Sequence, residues 1–119
     1  MQRTNIIRDP KVIQQWLATL TIAASCCWYP GCLRLEVDVN HIIGGHGRRS
    51  DEPANLSLLC RWVHHPAFHG ERVIVDGKVQ PRVTLGQVLQ MKKTLDPAAW
   101  NPERLAELRG QALPELEAA

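Results

Sequence analysis

The chain has no histidine before residue 41 or after residue 69, no large excess of either charge, and no apolar run approaching the 18 residues of a membrane-spanning helix. The last absence excludes a transmembrane helix. The least polar stretch, Leu17 to Tyr29, is broken by Thr19, Thr21 and Ser25 and follows a charged, Pro-containing start. It reads as a core helix leading into a Cys turn, not as a signal peptide. With no export signal, the expected location is the cytoplasm. Lys and Arg number 14 against 12 Asp and Glu, a net charge of +2, so bulk charge does not announce a nucleic-acid binder. Any basic surface must come from local clustering. Internal repeats and low-complexity linkers are absent too. A length of 119 residues, with 45% hydrophobic and 22% charged residues, fits one soluble globular domain with a modest core.

What the chain does have is concentrated. Its five His are His41, His46, His64, His65 and His69, and its four Cys are Cys26, Cys27, Cys32 and Cys60. Without an export signal, such Cys point to metal binding or free thiols more than to disulfides. Asp9-Pro10 is an N-cap followed by Pro at the first helical position, and Val12, Ile13, Trp16, Leu17 and Leu20 recur at helical spacing. That helix is predicted to end before Cys26. Pro30-Gly31 marks a tight turn between Cys27 and Cys32. Residues 33–40 alternate strictly, with Leu33, Leu35, Val37 and Val39 apolar, which predicts a half-buried strand. Residues 44–53 form a loop by composition, and 55–60 suit a second strand. A short helix is predicted around His64 to His69, with Pro66 in its first turn. Asp76-Gly77 signals a hairpin between 72–75 and 78–84. Thr84 is placed to cap one helix and Asn101-Pro102 to start another, while the Ala/Glu-rich end is expected to fray.

Hydrolysis of a phosphodiester needs a base for water, a cation for the charge on phosphorus and the leaving oxygen, and a rigid frame. A strand, a Gly-rich loop, a second strand and a His-bearing helix can supply these. The segments Leu35-Glu36-Val37-Asp38-Val39-Asn40-His41-Ile42-Ile43-Gly44-Gly45, then 50–60 with Asn55-Leu56 and Leu59-Cys60, then His64-His65 and His69-Gly70, resemble the HNH or ββα-metal endonucleases. The likeness covers residues 26–70 and is strongest to the compact HNH proteins of phages and prophages. It implies an α+β fold, with a ββα-metal core and zinc knuckle at 26–70. An N-terminal helical extension (1–25) and a C-terminal hairpin with helices (71–119) complete a single domain, 1–119.

The resemblance also implies roles. His41 matches the general base, Asn40 a metal-binding position that is normally Asp or His, and Asn55 the middle Asn that pins the loop. The final His residues match ligands of a catalytic divalent metal: Mg²⁺, Mn²⁺, Ni²⁺ or Zn²⁺. Two departures stand out. An amide oxygen at Asn40 can coordinate a hard cation but brings no charge; Asp38, on the same strand face, could compensate. At the helix, family members commonly carry a second Cys ahead of two His. Either Val63 takes that place and His64 is the catalytic-metal ligand, with His69 five residues on, or His64 replaces the Cys. In the second alignment, which we prefer, His65 and His69 form an i, i+4 pair on one face. It also completes a structural zinc set of Cys27, Cys32, Cys60 and His64.

Plainer roles compete at several positions. Cys26 reads as a buried filler, or as a zinc ligand in place of Cys27. His46 reads as a solvated loop residue or a substrate contact. Arg48, Arg49 and Arg61 could grip DNA phosphates, or Arg48 and Arg49 could sit with Asp51 and Glu52 in a solvated loop. Trp16, Trp28, Trp62 and Trp100 suit core or knuckle packing better than base stacking, and Lys92-Lys93 a solvated helix end. The expected function is a nuclease that nicks or cleaves DNA, leaving 5′-phosphate and 3′-hydroxyl ends, in a bacterial host cell if phage-encoded. The alternative is a weak or inactive zinc-stabilised HNH module that binds DNA or a phage packaging partner such as terminase.

Overall fold

Local sequence signals account for most helix and turn boundaries in the computed structural model, which describes residues 5–45 and 47–119. Helix α1 (Pro10–Leu17) starts where Asp9 caps it, its carboxylate accepting from Lys11 N at 3.0 Å. It stops at Leu17 rather than running toward Cys26. A turn and a 3-10 segment, Ile22–Ala24, follow. The polar breaks at Thr19 and Thr21 explain the stop: the Thr19 hydroxyl bonds Trp16 O at 2.6 Å and competes with the helical ladder.

Strands β1 (Val37–His41) and β2 (Leu56–Cys60) pair antiparallel, with Val37 opposite Cys60 and His41 opposite Leu56. The strand predicted over the eight residues 33–40 is therefore only five residues long and starts at Val37. Leu33 and Leu35 are 81% and 80% exposed. Alternation is present there, but no partner strand is, because the chain turns after Cys60 into helix α2 (His64–Phe68). A hairpin, β3 (Ile74–Val75) and β4 (Lys78–Val79), turns at Asp76-Gly77, both with positive φ. Helix α3 (Leu85–Leu95) begins with a reciprocal Thr84/Gln87 capping box. Helix α4 (Pro102–Arg109) is capped by Asn101. The architecture is α+β, with two small antiparallel sheets and four α-helices among the described residues. None of these helices is long and apolar enough to cross a membrane.

β2 is buried along its whole length and forms the centre of the core with Trp16, Trp28, Val88, Leu89, Leu105 and Leu108. Three expectations fail here. Lys92 is not a solvated helix end; it is fully buried, and its ammonium donates to Pro53 O (2.5 Å), Leu56 O (2.8 Å) and Asp96 Oδ2 (2.6 Å). It also lies over the rings of Trp16 and Trp28. Trp62 is not core; it is two-thirds exposed and donates to Glu36. The C-terminal tail does not fray. Glu117 N donates to Gly86 O at 3.1 Å, Leu113 and Leu116 pack on the core, and a Cβ at Gly86 would collide with the Glu115 carbonyl.

Candidate metal centre and adjoining cavity

Cys27, Cys32, Cys60 and His64 converge from three elements. The knuckle 27–32 turns on Gly31, whose φ of +81° favours glycine, and closes with Cys32 N donating to Tyr29 O. It is stitched to the sheet by Trp28 N to Leu58 O and by Cys60 N to Cys27 Sγ at 3.2 Å. Cys60 ends β2 and His64 opens α2. One ligand atom from each lies within 4.8 Å of every other. His64 Nδ1 is 3.4 Å from Cys27 Sγ and 3.2 Å from Cys60 Sγ. A tetrahedral zinc site needs S···N separations of about 3.6 Å and S···S of about 3.8 Å, from its bond lengths. The donor set and spacing thus fit zinc, and these four residues could hold such a metal. Tyr29 stacks on the His64 ring at 4.0 Å between centroids and orients it.

The thiol electrostatics are uneven. Burial pushes Cys27 up to about 12. Burial also raises Cys32, but hydrogen bonds from Arg34, Cys27 and Cys60 outweigh it and hold that thiol below its ordinary value. Burial, with Arg34 nearby, lowers His64 to about 4, so its ring is neutral and ready to ligate at pH 7. Cys26 lies outside the cluster and is partly exposed, not a fully buried filler; its Sγ lies 3.8 Å from Ala23 O and 3.7 Å from Cys27 O.

A cavity of about 530 Å³ opens beside this cluster. Its walls include Asn40, His41, Arg49, His65, His69 and Arg82. His65 and His69 present their Nε2 atoms to each other at 3.0 Å. The Asp38 carboxylate lies 2.9 Å from His65 Nδ1 and also accepts from Arg61 Nε at 2.9 Å. Burial raises the Asp38 carboxyl, yet the bonds to His65 and Arg61 prevail and keep it below its usual range. An ionised Asp38 draws the ring proton of His65 to Nδ1 and leaves its Nε2 lone pair facing His69 Nε2 in the cavity wall. Burial, then the proximity of His65 and Arg49, lowers His69 as well.

Asn40 is 1% exposed. Its amide donates to Ser57 Oγ, while its Oδ1 has no hydrogen-bond partner, alone among buried side-chain polar atoms in the described residues. His41 sits at the end of β1, with Nε2 2.7 Å from Asp51 Oδ1 and Nδ1 3.0 Å from Arg49 Nε. Asn55 is fully buried and ties the loop across itself. Its Oδ1 accepts from Ile43 N, and its Nδ2 donates to Ile43 O and Ser50 O.

The arginines singled out from the sequence separate. Arg49 lines the cavity, Arg61 is bound to Asp38, and Arg48 lies elsewhere and donates to Leu108 O at 3.0 Å. Their acidic neighbours are not solvated: Asp51 holds His41, and Glu52 is paired with Arg104. His46 lies outside the described residues. Sequence reasoning missed Arg82 in the cavity wall, Asp51 and Lys92. Arg82 stands beyond the motif, and no local signal marks it. No protein-family model, no curated protein and no solved structure matches the chain.

Proposed function

We propose that the protein is a metal-dependent DNA endonuclease of the HNH type, with its active site in the cavity between β1 and α2. The observation that carries this reading is the buried, unpartnered Oδ1 of Asn40, a residue that lines the same cavity as His41, His65 and His69. A buried acceptor without a donor costs about 1–3 kcal/mol. A cation in the cavity would relieve that cost, and one carbonyl oxygen with two imidazoles is an acceptable donor set for Mn²⁺, Ni²⁺ or Zn²⁺. Asn40, His65 and His69 would hold the divalent ion, which would supply charge stabilisation at phosphorus and at the leaving 3′ oxygen.

The chain's own groups do the rest. His41 Nδ1 takes the proton from the attacking water. Arg49, which is exposed, leaves that nitrogen for a phosphate oxygen when DNA enters, and Arg82 adds a second cation in the cavity wall. Asn55 keeps the loop between the strands in one shape. Asp38 aims His65.

The test is conversion of supercoiled plasmid to nicked circle with Mg²⁺, Mn²⁺ or Ni²⁺. Wild type is expected to nick, and His41→Ala to be slower by about 10²- to 10⁴-fold. Equal rates, or no nicking with any metal, defeats the nuclease reading. Metal content discriminates the second reading, a zinc-stabilised HNH module that binds DNA or a packaging partner without cutting. The neutral amide of Asn40 favours that reading, which expects metal at the cysteine cluster alone. The nuclease expects a second ion, lost in His65→Ala and His69→Ala.

A further inference from the structure

Two groups grip the His41 ring from opposite sides, and only one of them comes from a fixed support. Arg49 reaches Nδ1 from an exposed position, 3.0 Å away. Asp51 reaches Nε2 at 2.7 Å, with the side chains of His41 and Asp51 only 8% and 16% exposed. The second oxygen of Asp51, Oδ2, accepts from Asp9 N at 3.0 Å, and Asp51 N donates to Ile7 O at 2.7 Å. Ile7 N in turn donates to Ser50 Oγ at 2.9 Å. Asp51 is therefore clamped between the segment that leads into α1 and the loop that Asn55 pins.

We propose that Asp51 is the positioning residue of the site: it fixes the proton of His41 on Nε2 and so leaves the Nδ1 lone pair toward the cavity. This rests on the reading of His41 as the base. The assignment of donors has one consistent solution. A guanidinium has no acceptor, so Arg49 Nε–H requires a lone pair on Nδ1. A carboxylate has no donor, so Asp51 requires the proton on Nε2. When Arg49 departs for a phosphate, Asp51 alone keeps the ring in that tautomer. The arrangement does for a water nucleophile what a buried carboxylate does for the His of a Ser-His-Asp triad.

The isosteric change Asp51→Asn gives an opposite expectation at one atom. The Asp9 N–H is a donor and cannot change, so the amide oxygen of the variant must face it. The amide nitrogen then faces His41 Nε2 and donates to it, which drives the ring proton to Nδ1 and displaces the exposed Arg49, the less restrained of the two donors. The base is silenced with the packing intact.

The experiment is ¹⁵N-histidine NMR on the full, zinc-loaded chain, with plasmid nicking measured alongside. Wild type is expected to show His41 as the Nε2–H tautomer. Asp51→Asn is expected to show Nδ1–H and to nick about 10²- to 10⁴-fold more slowly. An Nδ1–H tautomer in wild type overturns the proposal, and this measurement does not depend on any variant folding. An unchanged tautomer in Asp51→Asn, or an inverted one with undiminished nicking, overturns it as well. If wild type fails to nick, the nuclease reading falls by that result, while the tautomer still decides whether Asp51 sets the ring.

Discussion

Withdrawal of zinc is the perturbation whose consequences can be worked furthest. Cys27, Cys32, Cys60 and His64 come from the knuckle at 27–32, the end of β2 and the start of α2, so an ion held there would cross-link three segments. An ion that binds only the folded chain stabilises it by about 4.1 kcal/mol when free zinc stands 1,000-fold above the dissociation constant. A chain of 119 residues unfolds with an entropy of about 0.25 kcal/mol/K, so this corresponds to a rise in Tm of about 16 °C.

Protons give a second, independent magnitude. Metal-free Cys27, with its pKa near 12, is fully protonated at pH 7 and must release one proton to ligate. His64, near 4, releases none above about pH 5. Zinc affinity should therefore rise at least tenfold per pH unit between pH 6 and 8, the Cys27 contribution alone, and collapse as pH falls through 4. The assay is calorimetry in zinc buffers at several pH values, with Cys60→Ser as the comparison. A Tm indifferent to zinc, a pH-independent affinity, or a Cys60→Ser variant stabilised as much as wild type would refute the reasoning.

Two further outcomes concern the frame. Lys92→Met should cost about 3–5 kcal/mol in urea unfolding, because it strips a buried ammonium from Pro53 O, Leu56 O and Asp96. Adding Asp96→Asn, which keeps an acceptor for Trp16 Nε1, should cost less than the sum of the single changes, and additivity would argue against a charge pair. Glu52→Gln should cost about 1–3 kcal/mol at pH 7, because it weakens a two-point contact with Arg104. Burial raises the Glu52 carboxyl, but Arg104 and Ser50 outweigh it and hold it low. A depressed folded value means stability present above the unfolded pKa and lost as pH falls through the folded one. The gap between wild type and Glu52→Gln should thus stay constant down to about pH 5 and narrow in more acid solution. A gap unchanged at pH 3 would count against it.

Features set by a residue and its near neighbours were legible in the sequence. Asp9, Thr84 and Asn101 start helices, and Asp76-Gly77 turns a hairpin, because caps and turns are satisfied within a few residues. What depends on distant partners was not. The alternation at Leu33 and Leu35 has the form of a strand, but a strand also needs a neighbour, and β2 ends at Cys60. Lys92 looks like any basic residue near a helix end until Asp96, Trp16 and two backbone carbonyls close around it. The tail holds because Gly86 gives it room, which no reading of residues 113–119 alone could disclose.

The two neighbouring histidines show why the site was more legible than its frame. Successive residues on a helix point about 100° apart, so His64 and His65 cannot readily serve one ion. The geometry follows that rule: His64 joins the cysteines, and His65 turns to His69, one turn on. Spacing thus distributes the donors with little help from the rest of the fold. Orientation is different. Asp51 is held by the backbone at Ile7 and Asp9, Glu52 by Arg104 on α4, and the carbonyls flanking Asn55 by Lys92 on α3. These partners all lie outside residues 26–70. Two five-residue strands and a five-residue helix supply a small core, below the size at which a chain readily folds alone without a metal or other staple. The segments before and after the motif are therefore part of the candidate site's frame, because they hold Asp51, Glu52 and the backbone around Asn55 in place.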